Sequence, residues 1–299
     1  MSRAPAAWRG RAARTGLACG AAALLMVGCG EPPSPDPVLA RLQAIADAPA
    51  IEVVTSLMSS YGGYDTWRKR RNVEYVCRLG FYKGGKNPQA ATRQLHRFAL
   101  GVPLRAYVED LEGPAPQVVR LNGEAFEVTR GGVPVLEPQL LEFPRAWVTV
   151  ARRSFLIPWS LLDPGSTIET RSPRTPPPAG PVPAGLCDVI RLRRADHDNG
   201  LAPDDWQDIY VGRLTRLVER IHQYRSGDHS FRVAIWSDHR TYDGLRVATM
   251  RRMYASDSSG AVGDLEVVSE YSDVRFDAPF GDEVFGSTTP PLAASTGPE

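Results

Sequence analysis

The sequence predicts a mainly β protein of the α+β class, built on antiparallel strands. Three observations predict it. From Val73 onward, apolar and polar side chains alternate in many short runs. Gly-, Pro- or Asn-bearing turns separate those runs. Helical spacing is confined to the beginning of the domain and to one apolar block in its middle.

Each element can be justified in turn. Val38, Leu39, Leu42 and Ile45 fall at helical spacing behind Asp36-Pro37, an acceptable helix start, and Pro49 is expected to end that helix. Ile51, Val54, Leu57 and Met58 repeat the spacing until Gly62-Gly63 stops it. Tyr64 to Arg71 reads as one or two further helical turns. The period then switches to two: Val73, Tyr75, Cys77, Leu79 and Phe81 share one face of a half-buried strand. More strands are expected at 93–100, 104–111, 117–122 and 125–130, with Asn122-Gly123 as the strongest hairpin signal. Residues 140–163 interrupt the series with a dense apolar and aromatic block that includes Phe143, Trp147, Phe155 and Trp159. A helix near 143–155 followed by an irregular apolar segment fits it. Residues 171–185 carry six prolines and read as a surface loop. A meander follows at 186–194, 206–212, 214–225, 230–242, 245–255 and 265–276, with Asp243-Gly244 as a second hairpin turn. Leu214, Leu217, Val218 and Ile221 also fit a helix, but the surrounding meander favours a strand.

The first 28 residues read as an export signal. Arg3, Arg9, Arg11 and Arg14 precede an almost wholly apolar or small stretch from Thr15 to Gly28, too short to span a bilayer. Met26-Val27-Gly28-Cys29 resembles the lipobox of bacterial lipoproteins, which implies cleavage before Cys29 and a palmitate-type acyl anchor on it. Residues 29–37 are then a Pro-rich tether, 38–286 a single domain, and 287–299 a polar, Pro-rich tail expected to be disordered. Without the four leader arginines the chain has 31 basic against 34 acidic side chains, a balance that argues against nucleic acid as a partner. No second apolar run is long enough to cross a membrane as a helix. An apolar share of 42% is enough for a sizeable core. Cys19 leaves with the leader, so Cys77 and Cys187 remain in an oxidising compartment. The sequence leaves open whether they form a bridge or two buried thiols, and it sets no oligomeric state.

The order of helices, strands, helical block and more strands resembles the bacterial lipoprotein-sorting and lipoprotein-acceptor superfamily of the LolA/LolB type. Four segments carry the resemblance: Tyr61-Gly62-Gly63-Tyr64-Asp65-Thr66-Trp67, Ile157 to Gly165 (IPWSLLDPG), Trp236 to Leu245 (WSDHRTYDGL), and Asp273-Val274-Arg275-Phe276. It spans roughly residues 50 to 286. The resemblance implies an incomplete antiparallel β-barrel whose mouth is covered by helices and whose concave, apolar face holds acyl chains. An incomplete barrel of this size cannot fill its interior unless helices plug it, and the Trp147–Trp159 block is the natural plug. Tyr75, Leu79, Phe81, Trp147, Phe155 and Trp159 are then candidates for the wall of an apolar cavity, or else plain core. Gly30 after the lipidated cysteine is not the retaining Asp of enteric inner-membrane lipoproteins, so the outer membrane, facing the periplasm, is the implied anchorage.

No catalytic constellation is legible, so the sequence reads as no enzyme, with no cofactor and no metal. The motifs G-x-S-x-G and H-E-x-x-H are absent. Asp228-His229-Ser230 are neighbours in sequence, whereas triad members converge from separate segments, so a hairpin loop is expected. Asp196 to Gly200 (DHDNG), with Asp204 and Asp205 beyond, has half the look of a calcium loop but the wrong spacing. His96, His222 and His239 lie far apart on expected strands. Arg68-Lys69-Arg70-Arg71 either faces anionic head groups or is a solvated helix end. The leading expectation is a membrane-anchored protein that binds a lipid, a lipoprotein's acyl chain or another apolar ligand. The alternative is an interaction or sensor module of the envelope with a filled core.

Overall fold

The alternation that starts at Val73 becomes the central strand of one large antiparallel sheet. In a computed structural model, residues 36–286 are described, apart from 86, 102, 179–184, 195–201 and 203. The export signal, Cys29, most of the tether, the tail and the Asp196–Gly200 stretch lie outside the described residues. The described residues form one compact unit.

The N-terminal helices are α1 (Pro37–Ile45), α2 (Ala48–Ser60) and α3 (Tyr64–Trp67). The carboxylates of Asp36 and Asp47 accept backbone N–H groups at the starts of α1 and α2, as good N-caps do. Pro49 opens α2 instead of ending α1. Its missing N–H costs nothing in the first helical turn, which is why proline is tolerated there.

Six strands follow: β1 (Asn72–Phe81), β2 (Ala90–Ala99), β3 (Arg105–Asp110), β4 (Gln117–Asn122), β5 (Ala125–Arg130) and the short β6 (Val133–Pro134). Helix α4 (Pro138–Phe155) and a 3-10 turn at Trp159–Leu162 interrupt them. Seven more strands complete the sheet: β7 (Ser166–Arg174), β8 (Cys187–Arg194), β9 (Trp206–Gly212), β10 (Val218–Arg225), β11 (Ser230–Tyr242), β12 (Leu245–Ser256) and β13 (Val262–Phe276). Residues 213–217 form the turn before β10, so the meander prevails over the helical spacing there. The sequence does not announce β6 or β7. Arg171–Arg174, expected in the proline-rich loop, belong to β7, and Pro173 is tolerated because β7 is an edge strand.

The strand order is β6-β5-β4-β3-β2-β1-β13-β12-β11-β10-β9-β8-β7. Two meanders are therefore joined where β1 pairs antiparallel with β13, Val73 opposite Phe276. The edge strands β6 and β7 do not pair with each other, so the barrel stays open. The chain passes from one edge to the other through α4. Edge β7 is partly covered: Ala46 bridges Ile168, and Asp47 also accepts from the backbone and hydroxyl of Thr170.

One apolar core lies between the concave face and the helices. Val54, Leu57 and Met58 of α2, Val148, Ala151 and Phe155 of α4, and Trp159 and Leu161 of the 3-10 turn meet the inward side chains of the strands. The Cys77–Cys187 bridge is not formed; both thiols are free and buried. Their placement explains it. Cys77 faces the main core, Cys187 belongs to a separate cluster with Val189 and Tyr210, and five strands stand between β1 and β8.

Candidate functional site

The four segments that carry the resemblance converge on one place. Gly62, at φ 109°, packs so closely on the β11–β12 hairpin that a Cβ there would lie 2.2 Å from the Gly244 carbonyl oxygen. Asp243 and Gly244 of that hairpin take φ 50° and 83°, the left-handed pair that an Asp-Gly turn supplies. The Trp67 ring stacks on Trp159 at 5.0 Å between centroids and meets Phe276 edge-on at 6.5 Å. Arg70 donates to Asp277 and to the Asp243 carbonyl, and Arg71 N–H donates to Asp277. Half of the basic run 68–71 thus belongs to this clasp. Most of these motif residues hold the helices onto the sheet; Ile157, Ser160, Leu161 and Trp236 also line a cavity.

That cavity occupies about 540 Å³ between α4 and the concave face of strands β8–β13. Trp147 and Val150 of α4 form one wall. Ile209, Ile221, Trp236, Met253 and Val267 of the strands form the other. Phe143 stands at the mouth, lining the cavity while 72% exposed. Nearby Val133, Leu136 and Leu140 are also exposed, so the start of α4 presents an apolar rim.

The wall is not purely apolar. Arg232 pairs with Glu266 at 2.9 Å, and Arg153 with Asp163 at 3.3 Å. Arg194 donates to the Ser160 carbonyl and to Gln207. Arg251 also lines the cavity and is only 6% exposed. A smaller pocket of about 10 Å³ adjoins the main one, sharing Trp147, Val150 and Arg251 with it and adding Tyr75, Leu79, His96 and Tyr271.

The expected wall residues divide accordingly. Phe81 and Trp147 line the main cavity, and Tyr75 and Leu79 the small pocket. Phe155 and Trp159 line neither. The Phe155 ring stacks on Tyr75 at 3.9 Å, and Trp159 is committed to Trp67. Sequence reasoning missed Trp206, Trp236, Met253 and the arginines. Alternation shows which strand positions face inward, but not which part of the concave face α4 leaves uncovered.

The remaining candidates hold the structure together. His96 stacks on Tyr75, and burial pushes its pKa down to about 3, so the ring is neutral. His239 bonds the Tyr61 hydroxyl and His222 the Asp257 carbonyl, so the three histidines have separate partners. Among the described residues, no group of His, Cys, Asp and Glu is placed to hold a metal ion. Asp228 accepts from the backbone and hydroxyl of Ser230 in the expected hairpin loop. Asp205 accepts from Ser226 and so fastens β9's start to the next loop. Among the described residues, no helix is long and apolar enough to cross a membrane.

No family model and no curated protein matches the sequence. Solved structures do match the fold. A DUF1329 family protein from Desulfovibrio piger aligns at a TM-score of 0.51 and 12% identity, over 80% of this chain and 98% of that one. A LolA superfamily protein from Nitrosomonas europaea aligns at 0.48 and 11%, over 79% and 97%. An outer membrane lipoprotein-sorting protein domain from Vibrio parahaemolyticus aligns at 0.48 and 8%, over 79% and 95%. The chain is thus similar in fold to the DUF1329 family protein, and its architecture is the open, helix-covered half-barrel that the sequence motifs imply.

Proposed function

We propose that this chain is a non-enzymatic, lipid-handling lipoprotein of the bacterial cell envelope, which holds an acyl chain or similar apolar ligand under α4. The observation that carries the reading is the cavity of about 540 Å³, walled by aliphatic and aromatic side chains, within the usual size range of ligand sites. Well-packed cores do not leave such a volume unfilled, and the rival reading of an interaction module with a filled core expects none. The apolar rim around Phe143 gives a chain-like ligand a way in that keeps it out of water.

The leader and Cys29 supply the second half of the proposal. Acylation at Cys29 and the Pro-rich tether place the half-barrel beside a membrane, in this reading the outer membrane on its periplasmic side, where the ligand is a membrane lipid or the acyl chain of another lipoprotein. No converging set of catalytic groups among the described residues calls for an enzymatic reading.

The test is native mass spectrometry of residues 36–299 purified without detergent, followed by solvent extraction. The expected result is a co-purifying lipid, or uptake of a fluorescent fatty acid that stops when Ala234→Trp fills the cavity. Consistent absence of both in the unmodified protein would overturn the reading.

A further inference from the structure

Arg251 is the one cavity-lining cation that is both buried and left without a partner among the described residues. It is 6% exposed, and its Nε is a buried donor with no acceptor. No carboxylate pairs with it, whereas Arg153 and Arg232 of the same cavity have theirs. On the sheet it stands between Trp236 of β11 and Ser269 of β13. The groups around it stay neutral: burial pushes Cys77 and Tyr271 up to about 12, and Tyr75 further still. A guanidinium is a permanent cation, and leaving one buried without a counter-charge is costly.

Two more unpartnered donors lie beside it. The Trp147 indole N–H and the Tyr75 hydroxyl are both buried without partners, and both line the small pocket that Arg251 shares with the main cavity. A buried cation and a buried neutral donor on the wall of one apolar cavity, with Tyr75 behind them in a pocket of about 10 Å³, form an anion cradle with an attached tail site.

We propose that the ligand is a single-chain anionic amphiphile, such as a fatty-acid carboxylate, bound head-inward. Its head accepts from Arg251 and Trp147, which line the main cavity, and its tail runs past Trp236 and Met253 to Phe143 at the mouth. This rests on the lipid-handling reading and deepens it. It reverses the arrangement in which a head group stays in water while only the tail enters.

The experiment compares myristate with methyl myristate by tryptophan fluorescence titration of residues 36–299. Myristate is expected to bind about 10-fold tighter or more, since hydrogen bonds to charged groups are worth that much. In Arg251→Met the preference disappears while the ester keeps its affinity. Trp147→Phe removes one donor, changes little of the packing, and lowers myristate affinity several-fold and more than that of the ester, whose neutral carbonyl accepts a weaker bond; it decides the matter should Arg251→Met fold poorly. Equal affinities for acid and ester in the unmodified protein would overturn the head-inward proposal and leave the lipid reading standing. Binding of neither would overturn both. Acetate or inorganic phosphate competing as well as myristate would show an anion site with no tail, and would overturn the amphiphile.

Discussion

Gly62 shows how one side-chain position can fix a fold. Its φ of 109° is unfavourable for any residue with a Cβ, and the Gly244 carbonyl leaves no room for one. Gly62→Ala is expected to cost about 2 kcal/mol or more, seen as a lower urea midpoint with an unchanged slope. His96 sets a pH limit. Its folded pKa of about 3 lies below the ordinary 6.5, so the unfolded chain takes up a proton that the folded one refuses. Stability is therefore full above pH 6.5 and falls as the pH drops towards 3. His96 alone accounts for a loss on the order of 3 kcal/mol between pH 6.5 and 4. Urea midpoints at neutral and acid pH check this, and His96→Phe flattens the difference. The histidine's strand was legible in the sequence, but its burial beneath Tyr75 was not, because cross-strand stacking depends on register. The cysteines likewise needed the sheet order. Under denaturing conditions both Cys77 and Cys187 should react with a thiol reagent, and in the folded protein neither should react readily, since burial raises both to about 12.

Helix α4 is the element on which the cavity depends, and its two ends differ. At the C-terminal end Arg152 and Arg153 both pair with Asp163, and Phe155 stacks on Tyr75. At the N-terminal end Leu140 and Phe143 are exposed, and Pro144 removes a hydrogen-bond donor from the helix. Hydrogen exchange should therefore find the amides of 140–146 opening far more readily than those of 150–155, and a bound acyl chain should slow the first set most. A fully protected N-terminal half in the empty protein would contradict this. The helix and its aromatic block were evident from composition. Its extension back to Pro138 was not: the helix was expected to begin near residue 143, whereas Pro138, tolerated in the opening turn, starts it five residues earlier. Trp67→Ala should cost about 2–4 kcal/mol by unclasping the helices from the sheet, and should leave the affinity for an apolar ligand of the folded fraction unchanged.

At the scale of the molecule, the sequence motifs located the clasp and touched the cavity only at Trp236 and the Ile157–Leu161 stretch. The reason is physical: a clasp needs particular glycines and stacked rings, whereas an apolar cavity wall needs only bulk apolar side chains, which look like core. The two hairpin turns were readable because Asp-Gly and Asn-Gly sequences favour unusual backbone angles. Strand β7 was not, because an edge strand beside a proline-rich segment carries little alternation.

The pairing of β1 with β13 has a consequence for how the chain is made. Val73 finds its partner Phe276 roughly 200 residues later, so the sheet's middle seam closes last. A polypeptide delivered N-terminus first must wait with β1 as a bare, apolar edge until the final strand arrives. Truncation before β13 should leave no shortened but serviceable half-barrel, only an aggregating fragment. Secretion of a version ending at residue 260 should yield insoluble or degraded material, whereas one ending at residue 286 should fold.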